Sequence, residues 1–137
     1  LSLTEEWHKD IRSTLGLQVA GFPNLFTVAG PLAPSTAFCN MTTCLQQQVD
    51  WVSDCIAYLR DQHAASIEPT VAKQDEWVAH HDEVANATLL VRTNSWYTGA
   101  NIEGKPRRLL SYIGGVGNYR QICDDIKTSG YAGFTIA

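Results

Sequence analysis

Long apolar runs are absent from this sequence. No stretch approaches the roughly 20 consecutive apolar residues that a membrane-spanning helix requires, and the amino terminus has no charged region followed by an apolar segment. We therefore expect a cytoplasmic protein that has no membrane partner. The chain begins at Leu1 and its single methionine is Met41, so we also expect it to be part of a longer chain.

Basic residues are scarce as well. The chain has 10 Lys and Arg against 14 Asp and Glu, a formal net charge of −4, and its longest basic run is Arg107-Arg108. Nucleic acid and anionic lipid are therefore disfavoured as partners, because both are bound mainly through clustered positive charge. The hydrophobic content of 45% over 137 residues predicts instead an ordinary folded domain with a buried core.

The patterns that mark metal sites and self-contained active sites are also missing. The four cysteines match neither a paired zinc pattern nor a Cys-x-x-Cys motif, and we expect all four to be reduced thiols. His80 and His81 are adjacent, so on a helix they point about 100° apart and do not form a two-histidine metal site. No nucleophile elbow, phosphate-binding lysine loop or His-Glu-x-x-His helix occurs. We therefore expect no metal and no complete catalytic centre.

The first half of the chain predicts a strand, a loop and a helix. Residues 22–31 form a short apolar run that begins with a Pro-Asn pair and stops at Gly-Pro, which predicts a buried strand. The loop over residues 33–40 contains Ser, Thr and Asn, which cap helices well. The helix is predicted from about Thr43 to about His63, because apolar residues recur there at gaps of four, three, four and three. These apolar residues are Leu45, Val49, Val52, Ile56 and Leu59.

The second half predicts two further helices and two short strands. The helices are expected at residues 70–89, with Trp77 as a core anchor, and at residues 118–129, ended by Gly130. The strands are expected at residues 109–113 and 134–136.

A long loop separates these elements. Residues 94–106 contain Gly, Asn and Pro at intervals that prevent regular structure, and loops of this length are often functional or mobile. Composition alone favours a simpler interpretation, in which Trp96 packs the loop onto the body of the protein.

A set of sequence blocks, rather than one motif, carries a family resemblance. The most specific block runs from Ser95 to Pro106 and reads Ser-Trp-Tyr-Thr-Gly-Ala-Asn-Ile-Glu-Gly-Lys-Pro. Further blocks are residues 21–26, 29–31, 48–51, 114–115, 119–124 and 130–134. Together they cover nearly the whole chain in order, and they resemble the carboxy-terminal quarter of Baeyer–Villiger monooxygenases, such as the phenylacetone, cyclohexanone and large-ring ketone enzymes.

This resemblance implies an α/β fold. The chain would be the carboxy-terminal part of a flavoprotein with two dinucleotide-binding domains, mostly helical with a few short strands. Residues 1–63 would end the FAD-binding domain, and residues 64–137 would form a helical region whose control loop spans residues 94–106. Enzymes of this family use FAD, NADPH and O₂ to convert ketones to esters or lactones through a flavin peroxide.

The resemblance also assigns cofactor-binding roles. Asn40, Met41 and Thr42 fall at the helix entrance beside FAD, where backbone N–H groups and the positive end of the helix dipole stabilise negative charge on a reduced flavin. Trp96 matches the tryptophan of the mobile control loop, which closes over NADP in the family.

The ketone pocket is assigned by the same resemblance to Ala37, Phe38, Cys39 and Ser111. The Gly-rich FAD and NADPH fingerprints, and the arginine that stabilises the peroxide, lie upstream in family members. The resemblance therefore implies that this chain holds no catalytic residue, that its partners are the missing upstream FAD and NADPH domains, and that it is inactive by itself.

Two other functions remain open at this point. A non-catalytic helical interaction module would expose no apolar face, whereas a piece of an enzyme would carry an orphan strand at residues 22–28 with exposed apolar neighbours. Another flavin monooxygenase, such as an N-hydroxylase, would share the same pair of nucleotide-binding domains. The Ser-Trp-Tyr-Thr-Gly-Ala-Asn block favours the Baeyer–Villiger group.

Overall fold

The computed structural model describes residues 1–35 and 38–137. The helices are α1 (Leu3–Lys9), α2 (Met41–Asp61), α3 (Val71–Asn86) and α4 (Val116–Thr128), and 3-10 turns lie at Leu90–Arg92 and Trp96–Thr98. The strands are β1 (Ile67–Pro69) and β2 (Phe134–Ile136). This confirms the predicted mostly helical architecture with a few short strands. No helix within the described ranges is long and apolar enough to cross a membrane.

Helices α2, α3 and α4 lie close to their predicted positions at residues 43–63, 70–89 and 118–129. The Thr70 side chain caps α3 by accepting a hydrogen bond from the Lys73 N–H at 3.1 Å. After α4 the chain leaves the right-handed helical region at Gly130, whose φ is 71°. Helix α1 was not predicted, because its 7 residues are too few to show a periodicity.

The core lies where α2, α3 and α4 meet the amino-terminal segment. Trp51, Trp77 and Tyr119 are all buried within it, which confirms Trp77 as a core anchor. The Trp51 indole N–H donates to the Cys123 carbonyl at 3.0 Å, and the Tyr119 hydroxyl donates to the Leu15 carbonyl at 2.7 Å. These two bonds satisfy polar atoms that burial would otherwise leave unpaired.

The small sheet joins the end of the chain to the link between α2 and α3. Strands β1 and β2 are antiparallel, with Ile67 opposite Ile136 and Pro69 opposite Phe134. Strand β2 is confirmed at its predicted position. Strand β1 was not predicted, because three residues that include a proline give no alternation signal.

The predicted strand over residues 22–31 is wrong, and the segment forms turns instead. The Phe22 N–H donates to the Val19 carbonyl at 3.2 Å, and Asn24 has a φ of 60°. Asn24 binds Ile67 twice, because its N–H donates to the Ile67 carbonyl and its side-chain oxygen accepts from the Ile67 N–H, both at 3.0 Å. The left-handed backbone conformation at Asn24, which asparagine tolerates better than most residues, interrupts an extended strand.

The predicted strand over residues 109–113 is reduced to one isolated bridge. Ser111 pairs with Ala33 in parallel, and no strand forms around it. Pro34 follows Ala33 and has no N–H, so the pairing is not extended beyond that point.

The predicted apolar stripe of α2 is buried only in part. Val49 is 45% exposed and Ile56 is 53% exposed. The helix buries Leu59 of that stripe together with a neighbouring face made of Cys44, Gln47, Gln48, Trp51 and Cys55. Burying the large Trp51 ring, with its N–H on the Cys123 carbonyl, sets this rotation of the helix. Part of the apolar stripe is therefore left facing outward.

Candidate functional site

The first turn of α2 forms one wall of the candidate site. Asn40 caps the helix, because its side-chain oxygen accepts from the Thr43 N–H at 3.2 Å and its carbonyl accepts from the Cys44 N–H at 3.0 Å. Asn40 and Thr42 are exposed, and Met41 is half-buried. No acidic side chain occupies this first turn, so the positive end of the helix dipole is not cancelled locally. The predicted FAD residues therefore lie at a helix end that fits an anionic or electron-rich group.

The loop before α2 carries the predicted ketone-pocket residues. Ala37 lies outside the described residues. Phe38 is half-buried, and its N–H donates to the Ser35 carbonyl at 3.1 Å. The Phe38 ring meets the Tyr97 ring edge to face, with centroids 5.7 Å apart and planes inclined at 67°. This contact joins the loop before α2 to a segment nearly 60 residues further along the chain.

Cys39, the third predicted pocket residue in this loop, forms a disulfide with Cys44. This corrects the expectation of four reduced thiols, because the turn at Asn40 brings the two Cα atoms to 6.6 Å, within bridging range. Cys55 and Cys123 are free and buried. Burial raises the pKa of the Cys55 thiol to about 11 and that of the Cys123 thiol to about 12, so neither is a nucleophile at neutral pH.

Ser111 is buried and faces the same loop. Its hydroxyl oxygen lies 2.5 Å from the hydroxyl oxygen of Ser35, and the backbone on either side of Ser111 pairs with residues 32–33. Ser35 thus contacts both Phe38 and Ser111. The structure therefore brings two predicted ketone-pocket residues, Phe38 and Ser111, together through Ser35.

The predicted control loop contains one ordered turn. The Ser95 side chain accepts from the Tyr97 N–H at 3.1 Å, and Gly99, at a φ of 73°, donates its N–H to the Trp96 carbonyl at 3.0 Å. Trp96 is 54% exposed and stacks on Tyr97, with ring centroids 4.1 Å apart and planes at 24°. The simpler interpretation of Trp96 is wrong, because its ring lies on a neighbour and faces outward instead of packing the loop onto the body.

Residues 108–110 anchor this loop. The Leu110 N–H donates to the Tyr97 carbonyl at 2.8 Å. Two positions earlier, Arg108 forms ion pairs with Asp10 at 3.3 Å and Asp82 at 3.5 Å. The segment that holds the control loop is therefore fixed both to α3 and to the amino-terminal region.

Tyr97 is the residue that sequence reasoning missed, and the contact between Ser35 and Ser111 was not predicted either. Tyr97 stands next to Trp96 in the most specific block, so its position in that block was the available signal. Nothing in the sequence places Ser35 against Ser111, because that contact spans 76 residues.

His81 is a buried titratable group near the site that is bound to the backbone. His81 is 1% exposed, and its Nε2 lies 2.6 Å from the Leu109 carbonyl. Burial lowers the pKa of His81, so the neutral imidazole donates to that carbonyl and has a structural role. Within residues 1–35 and 38–137, no group of three or more His, Cys, Asp or Glu residues is arranged to hold a metal ion. The site offers shape, backbone dipoles and aromatic surface instead of a proton donor or nucleophile.

No profile of a known protein family matches this chain. Its similarity to individual proteins is nonetheless high. The acetone monooxygenase (methyl acetate-forming) of Gordonia sp. strain TY-5 is 54% identical over 136 residues, which is 99% of this chain and 26% of that protein. A Baeyer–Villiger monooxygenase of Pseudooceanicola batsensis is 35% identical over 131 residues, which is 96% of this chain and 24% of that protein.

Solved structures of related enzymes also match the fold of this chain. The cyclohexanone monooxygenase of Rhodococcus sp. Phi1 bound to NADP⁺ gives a TM-score of 0.90 at 39% identity, over 97% of this chain and 24% of that one. The protein designated OTEMO, in complex with FAD and NADP, gives a TM-score of 0.89 at 33% identity, over 100% of this chain and 25% of that one. This chain therefore spans about a quarter of the length of the relatives it matches. Over nearly its entire length, the chain is similar to one segment of Baeyer–Villiger monooxygenases.

Proposed function

We propose that this chain is the carboxy-terminal part of an FAD-containing, NADPH- and O₂-dependent Baeyer–Villiger monooxygenase that converts ketones to esters or lactones. One observation carries the proposal. The α2 entrance, the Phe38–Ser35–Ser111 cluster and the stacked Trp96–Tyr97 pair of the control loop are joined in a single chain that matches its relatives over nearly its whole length. Bound FAD, reduced by NADPH, would supply the oxygen-transfer chemistry, and the protein would bind, orient and shield the reactants.

The α2 entrance is the proposed contact with FAD. Asn40, Met41 and Thr42 would place first-turn N–H groups and the positive end of a 21-residue helix against the flavin. The absence of acidic side chains from this turn supports that role, because a local carboxylate would cancel the stabilisation of negative charge on the reduced ring.

Trp96 is the proposed contact with the nicotinamide cofactor. Its indole is more than half exposed, yet one face is held by Tyr97, so the ring is oriented before any ligand binds. An oriented aromatic surface binds a planar cofactor at a lower entropic cost than a free side chain does.

The ketone would lie against the loop before α2 and the segment that faces it. Phe38 and Cys39 would form one wall and Ser111 another, and Ala37 joins them by resemblance alone. Their task is to orient the carbonyl group and exclude water from it. No residue of this chain needs to donate or accept a proton for that task.

We propose that the remainder of the protein covers the exposed part of the apolar stripe on α2. Val49 and Ile56 lie on that stripe, and a non-catalytic module that folds alone would be expected to bury it. We propose that residues 1–63 complete an FAD-binding domain, that residues 64–137 follow it as a helical region, and that the upstream part contributes the FAD and NADPH fingerprints. We place the protein in the cytoplasm, where NADPH is regenerated, and fractionation of the host cell tests this location.

The experiment is to express the complete reading frame and measure bound flavin and ketone-dependent NADPH oxidation with product analysis. Acetone and cyclohexanone are the first substrates. We expect a yellow protein that forms an ester or lactone, and we expect Trp96→Ala to raise the NADPH KM or lower kcat. Leu89→Ala is the matched control, because Leu89 is 73% exposed but lies outside the control loop. A colourless protein without ketone-dependent turnover would leave the interaction module as the better account, and an N-oxygenated product from an amine would favour the N-hydroxylase.

A further inference from the structure

The Tyr97 ring contacts both halves of the candidate site. One of its contacts is with Trp96, which stacks on it with ring centroids 4.1 Å apart. A second is with Phe38, whose ring meets Tyr97 at 5.7 Å in an edge-to-face arrangement. The three rings therefore form a continuous row from the exposed surface of the control loop to the loop before α2.

The backbone holds this row in a fixed frame. The Tyr97 carbonyl accepts from the Leu110 N–H at 2.8 Å, and the Leu110 carbonyl accepts from the Leu32 N–H at 2.7 Å. The extended segment around Ser111 thus lies between the two loops and bonds to each of them. The side-chain path from Trp96 to Phe38 runs through the Tyr97 ring.

Trp96 and Tyr97 differ in how firmly they are held. Trp96 is 54% exposed and free to meet a ligand, whereas Tyr97 is half-buried and its N–H is bound by the Ser95 side chain. Thr98, the next residue, is buried and donates its hydroxyl to the Ser95 carbonyl at 2.9 Å. The 3-10 turn therefore presents one ring to the outside while fixing the next ring against Phe38.

We propose that Tyr97 is a positioning residue that couples the state of Trp96 to the position of Phe38, so that occupancy of the control loop by the nicotinamide cofactor tightens ketone binding. The inference deepens the proposed function and rests on it. Tyr97 acts through Phe38 and does not touch the reacting atoms. An edge-to-face pair of this kind corresponds to a coupling of about 2- to 10-fold in a binding constant.

The test is a double-mutant cycle in the full-length enzyme with wild type, Tyr97→Leu, Phe38→Leu and the double variant. Each single change should raise the ketone KM by about 2- to 10-fold, while kcat changes less, because a positioning contact is lost and the reacting groups remain. The ketone KM of the double variant should be no higher than that of the more impaired single variant, because the second substitution has no ring contact left to remove. Tyr97→Phe should restore the ketone KM, because it keeps the ring.

A matched control separates positioning from general loss of an aromatic ring. Tyr58 packs against Tyr131 at 5.0 Å, on the α2 side of the core, so Tyr58→Leu should leave the ketone KM unchanged. If Tyr97→Leu yields no flavin-loaded protein, Tyr97→Met replaces it in the cycle.

The possible failures are distinguishable. Suppose that the wild-type enzyme oxidises ketones. If the two substitutions then have additive effects on the ketone KM, or if Tyr97→Leu leaves the ketone KM unchanged, only the role proposed for Tyr97 is overturned. A wild-type protein without ketone-dependent turnover overturns the proposed function, and the coupling inference falls with it.

Discussion

Replacing Tyr119 by Phe should destabilise the fold by about 1–3 kcal/mol. The Tyr119 hydroxyl donates a 2.7 Å hydrogen bond to the Leu15 carbonyl, and both residues are 1% exposed. Burial raises the pKa of Tyr119 well above its usual value, so the hydroxyl stays protonated and remains a donor. The substitution removes the hydroxyl donor and leaves the buried Leu15 carbonyl without that hydrogen-bond partner. Deleting a hydrogen bond destabilises a protein most when the remaining buried group is left unsatisfied. Because the bond spans 104 residues, its loss loosens α4 from the amino-terminal segment.

The assay is urea denaturation of the full-length protein. The midpoints of the variants are compared with that of the wild type, provided that the m-value, the slope of the unfolding free energy against urea concentration, is unchanged. Tyr131→Phe is the matched control, because Tyr131 is also 1% exposed but its hydroxyl lies beside the Cys55 thiol, a weak hydrogen-bonding group. We expect the control to change the free energy of unfolding by less than about 0.5 kcal/mol. Equal losses in the two variants, or no loss in Tyr119→Phe, would refute the reasoning.

Three further predictions concern the groups around the site. The free energy of unfolding should fall as the pH drops below about 6.5. Burial lowers the pKa of His81 in the folded state, so below this pH the unfolded chain binds more protons than the folded chain does. Unfolding measured across this pH range checks it, because the His81→Gln variant should show a smaller dependence of stability on pH. Gly114→Ala should cost about 1–3 kcal/mol in urea denaturation, because a methyl group there overlaps the buried Tyr112 hydroxyl, whereas Gly117→Ala has open space and should be neutral or stabilising. Asn40→Ala should lower the thermal midpoint through loss of about 1 kcal/mol of capping, and Asn40→Ser should restore it; equal midpoints for the two variants would count against the cap.

The helices could be predicted because their signals are local. The apolar residues around Trp77 and the terminal Gly130 located α3 and α4 to within a few residues of their observed bounds. The face that α2 buries was not predicted from the same spacing. Packing of the single large ring of Trp51 overrides a stripe of smaller side chains, and that competition depends on partners far away in sequence.

Strand prediction failed where turn chemistry prevails over composition. Residues 22–31 have the apolar content of a strand, yet Asn24 uses its own side chain and backbone to bind Ile67 and forces a turn. Around Ser111 the chain is extended as predicted, but its partner continues into Pro34, which ends the pairing.

The candidate site was predicted in its parts but not in its connections. Family resemblance named Phe38, Ser111 and Trp96, and the structure places the first two against a common neighbour. The role of Tyr97 between the two loops depends on contacts that span about 60 residues, and no local pattern in the sequence encodes them.

The most direct test of the central claim is the fate of molecular oxygen. The full-length protein is incubated with NADPH, a ketone and ¹⁸O₂, and the product is examined by mass spectrometry. The account predicts an ester or lactone that carries one labelled oxygen atom for each NADPH oxidised in coupled turnover. An unlabelled product, or NADPH oxidation that is independent of the ketone and yields no oxygenated product, would contradict it.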